Sequence, residues 1–265
     1  MKHDYIIAGA GLGGLSFIHH LLASNQEFSS VLIIDQKIKN INDRTWSFWL
    51  DYDPIYECAK SRSWKRLGFA TDDYVHFETI DPYIYYTIHS HEFYTEVFDQ
   101  INNDSRITFL QEGVSSIIPE KDLVRVTTTK DTYTAGYVID SITHPVDIPS
   151  DTLMLAQNFV GWTIKTPYAA FDSENPILMD FRVSQESAPS FVYLLPYSES
   201  EALVEYTQFS AQFSYDKQIY ENELNQYINT QLGIADFTVI EKEDGSIPMT
   251  NFEFDSRPHK RVFRI

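Results

Sequence analysis

Two stretches, Tyr5-Ile-Ile-Ala-Gly9-Ala-Gly11-Leu-Gly13-Gly14-Leu15 and Val31-Leu-Ile-Ile-Asp35, decide the fold of this 265-residue chain. A short apolar strand enters the G-x-G-x-x-G pattern, a helical pattern leaves it, and a second apolar strand ends on an acid. This order is typical of a dinucleotide-binding βαβ unit, and Asp35 is expected to accept hydrogen bonds from adenosine ribose hydroxyls. A glycine-rich turn in another kind of α/β protein is the alternative.

The glycines of the first stretch have separate roles in holding a dinucleotide. Gly9 permits the tight turn, Gly11 lets a pyrophosphate approach the backbone, and Gly14 lets the helix pack against the sheet. Ala10 and Gly13 complete the turn, whose free N–H groups lie at the positive end of the helix dipole and attract the diphosphate. The sequence therefore predicts cofactor contacts along this whole turn.

The charge and cysteine content of the chain exclude several classes of binding function. The chain has 20 Lys and Arg against 38 Asp and Glu, a net charge of −18, which repels nucleic acid and offers no basic surface to anionic lipid. We therefore expect no nucleic-acid partner. The single cysteine, Cys58, excludes an intrachain disulfide and a four-cysteine zinc site, and no His, Cys, Asp or Glu spacing predicts a metal.

The chain carries no recognisable targeting or membrane segment, and a reducing cytoplasm fits its cysteine content. The first strand begins too early to leave room for a signal peptide. Apolar runs are far shorter than the roughly 20 residues of a membrane helix. Any lipid-phase substrate is therefore expected to be reached from the membrane surface.

Beyond the first βαβ unit the pattern is mainly extended. Segments 64–70, 74–80 and 83–88 predict a small antiparallel sheet, and a helix capped by Ser90 follows. Residues after 153 predict a second, antiparallel domain with a helix at 216–232 and a strand that ends at Glu241.

Six further blocks resemble sequences of the bacterial lycopene β-cyclases. They are Asn42-Asp-Arg-Thr-Trp-Ser-Phe-Trp49, Gln157-Asn-Phe-Val-Gly-Trp162, Leu178-Met-Asp-Phe-Arg182, Phe191-Val-Tyr-Leu-Leu-Pro196, Ala202-Leu-Val-Glu-Tyr-Thr207 and Gly245-Ser-Ile-Pro-Met249. The resemblance covers nearly the whole chain. It implies an α/β, flavoprotein hydroxylase-like architecture: a Rossmann-type FAD-binding domain (1–60, 89–150 and 245–265) and a β-rich antiparallel substrate domain (61–88 and 151–244).

The resemblance also implies a reaction, which is closure of the acyclic ends of a carotenoid, lycopene, into β-ionone rings without net redox change. An acid protonates the terminal double bond, a neighbouring double bond attacks the cation, and loss of a ring proton completes the isomerisation. Reduced FAD is expected beside the cation, with NAD(P)H only as its reductant. Because lycopene lies in the membrane, we expect a cytoplasmic protein bound peripherally to the inner face of the cell membrane.

Glu205 is the predicted catalytic acid, because it matches the acidic position of the family's cyclase motif. In a strand it shares one face with Leu203 and Thr207, among mostly apolar neighbours. Burial can raise a carboxyl pKa by up to about 3–5 units, which would keep the group protonated near pH 7. Tyr206 replaces the motif's second acid, so the base is not identified. A solvated charge on an edge strand is the alternative.

Two other charged residues are candidates. Asp180 is a second catalytic candidate, although it shares a strand face with Arg182, and an ion pair that fixes the sheet is the alternative. Arg44 resembles a flavin-contacting position, and a surface arginine is its alternative. The aromatic residues of 46–49 are expected either along a polyene or in the core.

The sequence leaves two other functions open. A flavin oxidoreductase, either a hydroxylase or an isoprenoid reductase, would use the same fold and consume NAD(P)H stoichiometrically. The chain also stops inside an apolar strand, before the glycine-rich turn and final helix usual in flavin enzymes. We therefore expect its C-terminal part to be missing, and an inactive truncated dinucleotide-binding fragment is the second alternative. No oligomeric state is predicted.

Overall fold

The computed structural model describes residues 2–52, 54 and 56–265. The first part of the chain contains β1 (Lys2–Ala8), α1 (Leu12–Ala23), β2 (Val31–Asp35), β3 (Thr45–Leu50), β4 (Ser63–Trp64), β5 (Arg66–Ala70), β6 (Val75–Thr79), β7 (Ile84–His89), α2 (Ser90–Asn102), β8 (Ile107–Gln111), β9 (Val114–Pro119), β10 (Val124–Thr128) and β11 (Thr132–Asp140). The second part contains β12 (Met154–Lys165), β13 (Ile177–Asp180), β14 (Ser190–Ser198), β15 (Glu201–Ser210), α3 (Lys217–Thr230), β16 (Thr238–Thr250) and β17 (Val262–Arg264). A short 3₁₀ helix spans Glu57–Ser61.

The first sheet contains the predicted βαβ unit. Its strand order is β8-β2-β1-β11-β10-β9, with β17 paired to β11. Strands β8, β2, β1, β11 and β17 run parallel, whereas β9 and β10 form an antiparallel meander on β11. Buried residues of α1 and α2, including Leu15, Ile18, Val97 and Ile101, pack together with β1 and β2. The carboxyl ends of β1 and β2 therefore meet at one edge, where a dinucleotide would bind.

The second sheet is large and has the order β16-β12-β15-β14-β13-β5-β6. One face packs against α3, through residues such as Val160, Val192, Leu224 and Tyr227. The opposite face meets the three-stranded sheet β3-β7-β4 through a second apolar cluster that joins Tyr85 to residues of β14 and β15. Side chains of each strand point alternately to the helix or to this small sheet.

The structure divides the three strands that were predicted to form one small sheet. Strands β5 and β6 extend the large sheet, because β5 pairs in parallel with β13. Strand β7 pairs instead with the aromatic strand β3. The prediction of one local sheet is wrong because partners from distant parts of the chain replace the neighbours in sequence.

Two predicted boundaries also differ from the structure. The domain boundary at residue 245 falls inside β16, which stays paired with β12 as far as Thr250. Ser90 is not a cap; it is the first residue of α2, fully buried, and His89 occupies the capping position. The Ser90 hydroxyl is used elsewhere, in the loop described below.

Candidate active site

The glycine turn after β1 has the backbone of a phosphate-binding turn. Gly9 has φ +99°, a left-handed conformation that favours glycine. A Cβ at Gly14 would lie 2.1 Å from the carbonyl oxygen of Gly9, so only glycine lets α1 pack this closely against the turn. A Cβ at Gly11 would meet nothing within 4 Å. The Gly11 backbone therefore faces open space that a ligand can approach.

Asp35 lies at the carboxyl end of β2 and holds this turn in place. Its Oδ2 accepts the N–H of Ala10 at 2.8 Å and its Oδ1 accepts the N–H of Lys37 at 2.8 Å. Lys39 Nζ is 3.5 Å from Oδ2. Because a carboxylate offers about four acceptor positions, Asp35 retains capacity for ribose hydroxyls.

A cavity of about 380 Å³ lies beside the turn and has the polar lining that a dinucleotide needs. Its lining includes Gly9, Gly11, Asp35, Lys37, Arg44, Trp46, Glu112 and Ile142. Open glycine backbone, a helix N-terminus and an acidic residue with free acceptor positions lie together here. The residues present therefore fit the adenosine diphosphate part of FAD.

A loop formed by residues 42–44, which helix α2 holds in place, lies between this cavity and a larger one. The buried Ser90 hydroxyl accepts the N–H groups of Asp43 at 2.9 Å and Arg44 at 3.0 Å, and the Ser90 N–H donates to the Arg44 carbonyl at 2.8 Å. Tyr94 donates its hydroxyl to Asp43 Oδ1 at 3.0 Å. Helix α2 therefore fixes the loop, and Arg44 borders both cavities.

The larger cavity, of about 680 Å³, lies between the small sheet and the large one. Aromatic and aliphatic walls come from Trp46, Tyr85, Phe159, Tyr193 and Leu203. Five lining residues carry carboxyl groups and two are cationic: Asp43, Glu205, Glu241, Glu243 and Asp244 against Arg44 and Lys242. The interior is thus part apolar and strongly acidic.

Glu205 lies in a row of four residues across the sheet floor of this cavity. Strand register aligns Glu243 of β16 with Gly161 of β12, Gly161 with Glu205 of β15, and Glu205 with Tyr193 of β14. Residues in register on neighbouring strands share a face. Both carboxyl groups and the Tyr193 ring therefore point into the cavity, and Tyr206 points to the opposite face, as predicted.

The two glutamates approach each other over Gly161. A Cβ placed on Gly161 would lie 3.2 Å from Glu205 Oε2 and 3.3 Å from Glu243 Oε1. The two carboxyl groups thus border the same methyl-sized space, which the glycine leaves open. Any larger residue at Gly161 would separate them.

Burial and, to a smaller extent, the nearby Glu243 carboxylate together raise the pKa of Glu205 to about 8, against a hydrogen bond from Thr207 that lowers it. The Thr207 hydroxyl lies 3.3 Å from Glu205 Oε1. Glu205 is therefore protonated at neutral pH and can donate a proton.

Glu243 lies in the same cavity, and its pKa is also raised above the usual range. Burial raises its pKa, and Glu241 raises it too, but Thr45 and the Arg44 guanidinium lower it. Sequence reasoning missed Glu243, because the predicted strand ended at Glu241. The alternation of acids at 241 and 243 was the available signal, since a strand that continued to 250 would place both on one face.

Asp180 lies away from this cavity. It is fully buried on the α3 face, with Oδ2 accepting Arg182 Nη2 at 2.6 Å and the Tyr227 hydroxyl at 2.6 Å. These two donors hold its pKa below the usual range despite burial. Its placement disagrees with a catalytic role beside Glu205 and agrees with the alternative, an ion pair that fixes the sheet.

The aromatic residues of β3 have different surroundings. Trp46 borders both cavities, whereas Phe48 stacks on Tyr86 in the core under α1 and α2. Trp49 is 45% exposed and packs on Tyr85, the residue that supplies the cavity wall from the small sheet. Trp46 and Phe48 share one face of β3, since they are two residues apart, and Trp49 lies on the other face.

Two absences hold for residues 2–52, 54 and 56–265. In these ranges no group of three or more His, Cys, Asp or Glu side chains could hold a metal ion. Within the same part of the chain, no helix is both long and apolar enough to span a bilayer.

Comparison with known sequences matches nearly the entire chain to one family. The profile of the family described as "Lycopene cyclase protein" matches residues 4–265. A lycopene beta-cyclase from Pantoea ananas is 30% identical over 96 residues, which are 36% of this chain. That match spans 24% of the relative's length, or about a quarter of it.

Comparison with solved structures shows the fold. A geranylgeranyl bacteriochlorophyll reductase-like protein from Thermoplasma acidophilum has TM-score 0.69 and 10% identity, over 100% of this chain and 70% of that chain. A p-nitrophenol 4-monooxygenase from Pseudomonas putida DLL-E4 has TM-score 0.68 and 11% identity, over 99% and 72%. Halogenase PltM in complex with phloroglucinol and FAD has TM-score 0.62 and 11% identity, over 99% and 63%. The predicted flavoprotein hydroxylase-like fold class is confirmed.

Proposed function

The chain belongs to the lycopene cyclase family, and from that premise we propose that it is a lycopene β-cyclase, which closes acyclic carotenoid ends into β-ionone rings without net redox change. The observation that carries the proposal is the position of Glu205, whose pKa burial raises, in a half-apolar cavity that shares Arg44 and Trp46 with the cavity at the dinucleotide turn. A hydroxylase or a reductase would need an electron supply, whereas ring closure needs only an acid, a base and a way to stabilise a cation.

Glu205 is the proposed acid. Its proton adds to the terminal double bond of the carotenoid, and the neighbouring double bond attacks the resulting tertiary cation to close the ring. The raised pKa supports this role, because an acid whose pKa lies near the working pH is both protonated and able to donate. Tyr193 and Tyr85 border the same space, and burial raises the pKa of each hydroxyl, so both stay neutral.

The cavity is suited to a positively charged intermediate. Its carboxyl groups outnumber its cations, and one of the two cations, Lys242, is directed away. Lys242 donates to Glu221 Oε1 at 2.9 Å and lies 5.0 Å from the Trp162 ring centroid, on the α3 side. Fixed negative charge and aromatic faces stabilise a cation that develops between them.

FAD is the proposed cofactor, held by the turn from Gly9 to Gly14 and by Asp35. Arg44 and Trp46 border both cavities and are the proposed contacts toward the flavin end. When bound and reduced, the flavin would supply negative charge near the cation. NAD(P)H is proposed only as the reductant that keeps it reduced.

The proposed substrate also suggests a location. Lycopene is a lipid-phase hydrocarbon, so we propose that the protein works in the cytoplasm and binds peripherally to the inner face of the cell membrane. The apolar walls of the larger cavity could accept an end group of such a chain.

The test is anaerobic incubation of the FAD-loaded protein with liposomal lycopene and dithionite. We expect β-ring products from the wild type and at least a 10²-fold lower rate from Glu205→Gln, which keeps the shape and removes the proton. Glu27→Gln is the matched control, because Glu27 is exposed and precedes β2. Ring closure at the wild-type rate by Glu205→Gln would contradict the role of Glu205, and oxygenated or hydrogenated products would contradict the cyclase.

A further inference from the structure

Resting on that proposed ring closure, we propose that Glu243 is the base that accepts the ring proton, and that the proton returns to Glu205 across Gly161. The Ala202–Thr207 motif supplies an acid but no base, because Tyr206 lies on the other face of the sheet. A carboxylate that faces the same space must come from another strand. Strand β16 supplies Glu241 and Glu243 on one face, and Glu243 is the one in register with Gly161.

The geometry assigns Glu243 to this role. Its Oε1 and the Oε2 of Glu205 lie 3.3 Å and 3.2 Å from the position that a Gly161 Cβ would take. Glycine at this one point of β12 therefore leaves a gap between two carboxyl groups on strands that do not pair with each other. Both groups also line the cavity that would hold the substrate end.

The surrounding charges make one glutamate the donor and the other the acceptor. Glu205 faces Thr207 on its own strand, Glu243 across Gly161, Tyr193 on β14 and Tyr85 on β7. Glu243 faces Glu241 on its own strand and Thr45 and Arg44 from the small-sheet side. A hydroxyl lies beside each glutamate, and the Arg44 guanidinium additionally opposes the rise in the pKa of Glu243. We therefore assign the negative charge to Glu243, and a charge there raises the pKa of Glu205.

Protons and electrons balance within the pair formed by Glu205 and Glu243. Glu205 gives its proton to the inner carbon of the terminal double bond, whose π electrons form the new C–H bond and leave a tertiary cation. The neighbouring π pair attacks that cation and forms the ring C–C bond. A ring C–H proton then leaves to Glu243, and its electron pair becomes the ring double bond. Glu205 is now ionised and Glu243 protonated, and transfer across Gly161 restores the start. No oxidant or reductant enters this cycle.

The test separates proton donation from proton removal in D₂O, using the FAD-loaded protein and liposomal lycopene. In Glu243→Gln we expect ring closure to fall at least 10²-fold, while recovered lycopene still gains deuterium at its chain ends because Glu205 still protonates it reversibly. Glu205→Gln should lose both signals. Glu253→Gln, an exposed residue beyond β16, should change neither.

A Glu243→Gln variant that closes rings at the wild-type rate, or that loses deuterium exchange together with ring closure, would overturn the assignment. Gly161→Ala gives a second variant, since its methyl group would fill the space between the two carboxyl groups and keep both glutamates in the chain. The Glu243 side chain, whose Cγ would lie 3.0 Å from the new Cβ, would have to shift slightly. The variant should slow turnover after the first ring closure, whereas unchanged steady-state turnover would contradict the proton return.

A titration that needs no substrate distinguishes this inference from the proposed function. Carboxyl ¹³C NMR of glutamate-labelled protein should show the pKa of Glu205 falling by at least one unit in Glu243→Gln, because a like charge is removed. If the wild type formed no rings but this pKa shift occurred, the proposed cyclase function and the role of Glu243 as its base would both be overturned. The electrostatic coupling of Glu205 with Glu243 would still be supported. An unmoved Glu205 pKa would overturn the coupling itself.

Discussion

At the scale of single residues, strand alternation decides which acids belong to the cavity. Glu205 points to the cavity and Asp180 to α3, although both lie in the same sheet. The sequence predicted the orientation of Glu205, because Leu203 and Thr207 define its face. For Asp180 the sequence left open both a catalytic role and an ion pair, since the Tyr227 hydroxyl that donates to its carboxylate lies 47 residues away.

Glu205 should also affect stability, in a direction that its pKa determines. The pKa is raised from 4.5 to about 8 in the folded protein. Because the folded state then binds the Glu205 proton more tightly than the unfolded state does, the free energy of unfolding falls as pH rises from about 4.5 to 8. We expect Glu205→Gln to match the wild type closely at pH 5 and to exceed it by roughly 2–4 kcal/mol at pH 9.

Urea unfolding at both pH values measures this difference, with Glu27→Gln as the exposed control. A stability gain from Glu205→Gln that is the same at pH 5 and pH 9 would show that the carboxyl group titrates normally.

At the scale of elements, the glycine turn and the loop at 42–44 have different origins. The turn is local, so the G-x-G-x-x-G pattern and the apolar strand on each side were enough to predict it. The loop is fixed by Ser90 and Tyr94 of α2, more than 40 residues later. A local rule assigned Ser90 to a helix cap, because nothing nearby in the sequence reveals this long-range use of its hydroxyl.

Gly11 offers a test of the turn that leaves the fold intact. A Cβ on Gly11 has no neighbour within 4 Å, so Gly11→Ala should fold normally and still obstruct the approach of a pyrophosphate. We expect the Kd for FAD to rise at least about tenfold, which is about 1.4 kcal/mol. Fluorescence titration with FAD measures it.

Gly233→Ala is the matched control for that experiment. Gly233 also has open space around its missing Cβ, but its φ of +67° strains alanine, and it follows α3, away from the turn. It should lose about 1 kcal/mol of stability and keep its FAD affinity. Equal FAD affinity in Gly11→Ala and the wild type would remove the turn from the cofactor site.

At the scale of the whole molecule, the cavity exists because the small sheet β3-β7-β4 covers one face of the large sheet. The resemblance and the hydrophobic pattern predicted an α/β part and a β-rich part. They did not predict that β7 would leave β5 and β6 to pair with β3, because strand pairing across the chain depends on long-range contacts. Glu243 was missed because the predicted strand ended at Glu241, and its place beside Gly161 depends on the long-range register of β12 with β16.

We propose, at this scale, that the molecule catalyses an acid–base isomerisation within a flavoprotein fold. Mass spectrometry of carotenoid products formed anaerobically in D₂O, with the flavin spectrum followed in parallel, tests it most directly. We predict at most one solvent deuterium for each ring closed, because the ring proton that returns to Glu205 also serves the next ring closure, with no other change in mass and flavin that stays reduced throughout. Products that gain oxygen or a pair of hydrogens, flavin oxidised in step with product, or the absence of any ring would contradict the account.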